Sequence, residues 1–85
     1  MSLRPPGGGA GLSFQEEARH RPPVWPGGVD DQQMQAHLDI VVDDLDAGVV
    51  FAVSLGATIA DHQPQDDVRV LLDPAGHPFC LFAGA

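Results

Sequence analysis

The chain has no lysine and only four arginines against twelve acidic residues, and its net charge is −8 at pH 7. It lacks the basic surface that nucleic acids require, which argues against a nucleic-acid partner and equally against an anionic membrane surface. A single cysteine excludes an internal disulfide and gives no support to an oxidising compartment. The longest apolar run, GVVFAV, is too short for a signal peptide or a membrane span, so we expect a cytoplasmic protein.

The composition indicates one small domain made of two unlike parts. The 85 residues are 44% hydrophobic and 19% charged, so a folded core is expected. Residues 1–33 hold five Pro and six Gly with little periodicity, which predicts an irregular arm. Within this arm, LSFQ at residues 12–15 is a short strand candidate. Residues 34–85 carry the stronger patterns and are predicted to form the complete structural unit.

The segment HLDIVV, at residues 37–42, alternates as a half-buried strand does. Leu38 and Ile40 share one face, whereas His37, Asp39 and Val41 share the other. The face with His37, Asp39 and Val41 is therefore predicted to lie opposite the core and to combine polar with apolar side chains.

The next segment, DDLDAGVVFAVSLGA, changes to helical periodicity. Asp43 or Asp44 can cap its N-terminus, and Gly56 suits its left-handed end. Apolar positions at i, i+4, i+7 and i+8 predict a buried face of Leu45, Val49, Ala52 and Val53. Three further strands are predicted in ATIADHQ, VRVLL and HPFCLF, and the last two are joined by the turn DPAG.

The phrases HLDIVVDDLDA, LGATIADHQP and LLDPAGHPFCLF, in this order, resemble the glyoxalase-like branch of the vicinal oxygen chelate superfamily. That superfamily includes glyoxalase I, bleomycin-resistance proteins and extradiol dioxygenases. The resemblance implies an α+β fold with one complete βαβββ module over residues 34–85. LRPPGGGAGLSFQ resembles the last strands of an incomplete first module, and RPPVWPGG resembles the linker. An Ala-Gly-x-x-Phe pattern shared by residues 10–14 and 75–79 supports this interpretation.

A full member of the superfamily has two modules, which together enclose a pocket. An incomplete first module leaves the concave face of the sheet exposed, with Val41 and Phe82 pointing from it. We therefore expect a homodimer that completes the pocket around a small-molecule ligand. The alternative is a shortened chain that folds poorly alone.

The resemblance also implies two metal-ligand positions in each module, one at the start of the first strand and one on the last. His37 matches the first position, where the family often has His. Cys80 occupies the second, where Glu is typical, and Gln15 holds the equivalent place in the first module. A divalent metal at His37 and Cys80 is therefore one hypothesis, and a metal-free pocket is the other. No other cofactor is predicted.

The expected pocket is lined by Gln15, Trp25, His37, Asp39, Val41, Cys80 and Phe82. Trp25 is the only tryptophan and lies in the Pro-rich linker, where it either packs as a plug or stacks on a ligand. The core is expected to include Phe14, Phe79, Leu38 and Ile40.

The fold alone does not fix the chemistry, because related domains act as lyases, dioxygenases and drug binders. The first hypothesis is a glyoxalase-like protein with a small-molecule pocket; no catalytic residue is predicted and enzymatic activity is left open. The alternatives are a non-catalytic, bleomycin-resistance-like binding module and a truncated, inactive fragment. A complete set of metal ligands favours catalysis, and a dry apolar pocket favours binding.

Overall fold

The computed structural model describes residues 2–3, 6–8 and 10–84, and these form six strands and one helix. Strands β1 (Ser2–Leu3) and β2 (Leu12–Ser13) pair antiparallel in a small sheet of their own. The other elements are β3 (Asp39–Val42), α1 (Leu45–Ser54), β4 (Thr58–Ile59), β5 (Val68–Leu72) and β6 (Pro78–Ala83). The class is α+β, as the sequence predicts. Residues 1, 4, 5 and 9 of the predicted arm, and residue 85, lie outside the described residues.

The larger sheet has four strands in the order β3-β6-β5-β4, so β3 and β4 are its edges. Strand β3 runs parallel to β6 and places Asp39 beside Cys80. Strand β5 runs antiparallel to both β6 and β4, and places Val70 on the other side of Cys80. Since side chains alternate between faces along a strand, Asp39, Cys80 and Val70 form one row across a single face.

Helix α1 begins and ends where the sequence predicts. Asp44 is the N-cap, and its Oδ1 accepts a hydrogen bond of 2.9 Å from the backbone N–H of Ala47. Gly56 follows the helix with φ of 112°, a left-handed conformation that a Cβ disfavours. Among the described residues, no helix reaches the length and apolarity that a membrane crossing requires.

The core lies between α1 and one face of the sheet. Leu71 is completely buried, Leu81 and Ala57 are nearly so, and they are covered by Val42, Leu45, Val49, Ala52 and Phe79. Three of the four residues predicted for the apolar face of the helix, Leu45, Val49 and Ala52, are therefore partly buried and pack on the core. The prediction is wrong for Val53, because its side chain is 43% exposed. It lies about 80° around the helix axis from Leu45, at the margin of a narrow apolar stripe.

Three other residues predicted for the core are exposed. Phe14 is 54% exposed, Leu38 47% and Ile40 42%, whereas Phe79 packs on the core as predicted. Strand β3 is an edge strand, and the β1–β2 hairpin belongs to a separate sheet. Leu38 and Ile40 therefore stay largely exposed at this edge of the sheet.

The arm packs against the turn between β5 and β6. The Nε2 of His20 donates a hydrogen bond of 2.7 Å to the backbone oxygen of Ala75, and its ring lies 5.0 Å from that of His77. Gly76 has φ of 90°, and a Cβ on it would lie 2.6 Å from the Cβ of Pro22.

Candidate functional site

Three chemically different side chains converge on the face of the sheet opposite α1. Asp39 is the first residue of β3 and His37 lies two residues before it, a spacing that in an extended chain places both on one side. Cys80 is the cross-strand partner of Asp39 on β6. One ligand atom of each residue, a nitrogen, an oxygen and a sulfur, lies within 4.8 Å of the others. We call this group the His37–Asp39–Cys80 cluster.

The cluster is open to solvent at β3 and partly buried at β6. The Nε2 of His37 lies 3.3 Å from Oδ1 of Asp39, and their side chains are 39% and 61% exposed. Cys80 is a free, partly buried cysteine. A contact as exposed as that between His37 and Asp39 contributes little to stability.

The thiol of Cys80 is held in its protonated form when no cation is bound. Partial burial raises its pKa most, and the negative charge and hydrogen bond of Asp39 raise it further. A divalent cation reverses this preference, because the thiolate is the form that binds a metal and the proton is released. A metal ion bound at the cluster would therefore displace the proton of Cys80.

The donor set fits zinc better than it fits magnesium or calcium. Zinc takes imidazole, thiolate and carboxylate ligands, and zinc sites with three protein ligands keep a further position for water or substrate. Magnesium and calcium prefer ligand sets made of oxygen. Gln15, expected as a further ligand position, is exposed and follows β2 in the other sheet.

Two apolar residues of the expected pocket continue the surface beside the cluster. Val41 and Phe82 are cross-strand partners on β3 and β6. They lie two residues beyond Asp39 and Cys80 and therefore on the same face. Val41 is 59% exposed, and Phe82 is partly buried. Five of the seven expected pocket residues, counting His37, are thus placed on one face.

Trp25 lies at a different place. Its ring is 5.3 Å from the ring of His62, in the segment that follows the opposite edge strand β4. It also lines a shallow hollow of about 150 Å³, together with Val24 of the arm and Met34 just after it. This contact does not distinguish the plug from ligand stacking, and both stay predictions for Trp25.

Gln63 bonds to the backbone of β5 beyond the end of β4, which the sequence did not predict. Its Nε2 donates to the backbone oxygens of Ala60 and Val70 at 2.9 and 2.8 Å. Its Oε1 accepts from the N–H of Val70 at 2.9 Å, so the side chain acts as a strand partner beyond β4. Val70, in the row with Cys80, is only 3% exposed. Since Val70 is buried whereas Asp39 and Val41 are exposed, the open part of the face lies towards β3, where the cluster is.

The comparison with protein families identifies the class of protein. The family model of the glyoxalase-like domain matches residues 2–82, which includes the arm as well as the sheet and helix. The chain therefore belongs to the glyoxalase-like domain family, and the resemblance seen in the sequence is confirmed. Comparisons with curated proteins and with solved structures gave no match.

Proposed function

We propose that the chain binds a small molecule on the face opposite α1, with a divalent ion held by His37, Asp39 and Cys80. The observation that carries this proposal is the convergence of three candidate ligand atoms within 4.8 Å in a member of the glyoxalase-like family. The order β3, α1, β4, β5, β6 supports assigning residues 34–85 to one βαβββ module. The β1–β2 hairpin supports assigning the arm to the last strands of an incomplete first module.

An ion at the cluster would supply Lewis acidity towards an oxygen of the bound molecule. Side chains beside the cluster position the bound small molecule. Val41 and Phe82 offer an apolar surface directly beside the cluster, and the exposed edges of His37 and Asp39 leave it accessible from solvent. We propose this surface as the binding face and name no reaction.

A metal-free binding module is the second candidate. Its supporting observation is that Cys80 stands where the family typically has Glu, in a cluster with three members. In this case the small apolar ligand packs on Val41 and Phe82 alone. The two candidates differ in one measurable property: ligand binding depends on a divalent ion in the first and is unaffected by metal removal in the second.

Isothermal titration with zinc tests the first candidate. We expect saturable binding that weakens at least about tenfold in His37→Ala and in Cys80→Ser, since each removes one ligand. His62→Ala is the matched control, because it removes a histidine at the opposite side of the sheet, and it should bind zinc as the unaltered chain does. Binding no stronger than the chelator background, or binding unchanged in His37→Ala, would contradict the proposal.

We also propose that the chain forms a homodimer that completes the pocket. The supporting observation is an exposed apolar edge at β3. The side chains of Ile40 and Val41 in this strand, and of Leu38 just before it, are 42–59% exposed. Such an edge favours association with another chain. A reducing compartment such as the cytoplasm suits the free thiol of Cys80, and we propose that location.

Native mass spectrometry of protein purified without chelator measures subunit number and bound metal together. We expect a dimer carrying divalent ions. A metal-free dimer would favour the binding module. A folded monomer of 9.0 kDa with a cooperative melting transition would contradict the dimer, and a metal-free, unfolded monomer would indicate a fragment of a longer protein.

A further inference from the structure

A second concave surface lies between the arm and the segment that leads into β3. It is an open groove of about 400 Å³, within the range of small-molecule sites. Its polar lining comes from Arg19, His20, Arg21 and His77 and from the glutamines of residues 32–35. The groove reaches Ala36 but includes no member of the His37–Asp39–Cys80 cluster.

The groove carries positive charge in a chain that is otherwise strongly acidic. Two of the four arginines line it, and none of the twelve acidic residues does. Among the described residues, neither the guanidinium of Arg19 nor that of Arg21 makes an ion pair or a hydrogen bond. Two carboxylates near the groove have other contacts: Asp73 lies 3.7 Å from Nδ1 of His77, and Glu17 accepts from the backbone N–H of Arg19.

The walls of the groove are tied to each other and to the sheet. The N–H of Val24 donates a 2.7 Å hydrogen bond to the backbone oxygen of Gln32, which links the segment around Val24 to the segment around Gln32. His20 is bonded to the backbone of Ala75 and packs on His77, which joins the arm to the turn before β6. The cationic side chains therefore start from a backbone that is already held in place.

We propose that this groove binds a small organic anion through a carboxylate or phosphate group. A guanidinium presents paired donors whose geometry matches both groups, and unpaired guanidiniums retain these donors for a ligand. Glutamine amides and histidine rings add further donors along the same lining. The proposal extends beyond the binding face opposite α1 and does not depend on it.

The first test is an NMR titration of the full chain after metal removal on a chelating resin. The probes are succinate, inorganic phosphate and, as an uncharged control, succinamide. We expect saturable shifts of the backbone amides of residues 19–21, 32–36 and 77 with an anion and none with succinamide. Tighter binding of succinate or of phosphate identifies the preferred group. Shifts that rise linearly without saturation for both anions would overturn the proposal.

The second test compares arginine variants of equal charge. Arg19→Gln and Arg21→Gln should each weaken anion binding about tenfold, the value expected for losing a charged hydrogen-bond partner. Arg69→Gln is the matched control, since its guanidinium is bonded to the backbone oxygens of Asp66 and Val68, and it should leave binding unchanged.

An equal loss of anion affinity in all three variants would mean that only the net charge matters. Unchanged affinity in the two groove variants would mean that the anion binds elsewhere. Either result overturns the proposal. The amide spectrum reports whether each variant is folded. If a glutamine variant is unfolded, the lysine variant at that position keeps the charge, removes the paired donors and should still bind less tightly. Binding should persist in His37→Ala, which separates this groove from the proposed metal site.

Discussion

Gly76→Ala measures how firmly the Pro-rich arm is docked on the sheet. Gly76 has φ of 90°, where a side chain costs about 1–2 kcal/mol. The new Cβ would also lie 2.6 Å from the Cβ of Pro22, closer than carbon atoms approach without displacement. Pro22 is a rigid ring, so the arm must shift, at the cost of about 1–3 kcal/mol that overpacking brings. The sum is about 2–5 kcal/mol of unfolding free energy.

Thermal and urea denaturation followed by circular dichroism provides the assay. For a domain of this size, the melting temperature should fall by about 8 °C or more. Gly56→Ala is the matched control, because Gly56 has φ of 112° but its Cβ would make only an ordinary 3.5 Å contact with Pro74. It should lose only the conformational part, about 1–2 kcal/mol.

A double-mutant cycle isolates the contact with the arm. Pro22→Gly removes the ring atoms that the new Cβ would meet, so Gly76→Ala should cost about 1–3 kcal/mol less in that background. Equal costs for Gly76→Ala and Gly56→Ala, together with zero coupling to Pro22, would refute the argument that the arm is packed against this turn.

Three further predictions concern the helix, the core and the thiol. Asp44→Ala should lower the unfolding free energy by about 1 kcal/mol in urea denaturation, because it removes the helix N-cap; an unchanged midpoint would contradict this. Leu71→Ala should cost about 2–5 kcal/mol, since Leu71 is fully buried, whereas Leu55→Ala, at a side chain 69% exposed, should cost far less. Iodoacetamide should alkylate Cys80 more slowly than free cysteine at the same mildly alkaline pH, because its raised pKa leaves less thiolate. Asp39→Asn should lower that pKa and speed the reaction, and mass spectrometry that finds equal rates would count against it.

The parts of the fold that the sequence predicted depend on local signals. The cap at Asp44, the left-handed Gly56 and the alternation along β3 each act within a few residues, and they place α1 and β3 correctly. Val53 and Ile40 were wrongly predicted to be buried, because apolar character alone does not show how much of the helix and the sheet face each other. The extent of that contact is set by how α1 lies on the sheet and by which strand is at the edge.

The site was partly predictable for the same reason. Strand alternation was enough to place His37 and Asp39 on one face. Joining them to Cys80 required the parallel register of β3 with β6, which pairs residues about forty positions apart. Asp39 was expected in the pocket, yet its place among the candidate ligands appears only from that register. The strand-like role of Gln63 and the contact of His20 with Ala75 have no local sequence signal, because each depends on tertiary packing.

Titration with cobalt(II) in place of zinc tests the central claim most directly, because cobalt reports its ligands by absorption. If His37, Asp39 and Cys80 hold the ion, the spectrum will show a thiolate-to-cobalt charge-transfer band in the near ultraviolet. That band will disappear in Cys80→Ser, weaken in His37→Ala and Asp39→Asn, and be displaced by zinc. A spectrum identical to that of hydrated cobalt, or a charge-transfer band that survives in Cys80→Ser, would contradict a metal site at this cluster.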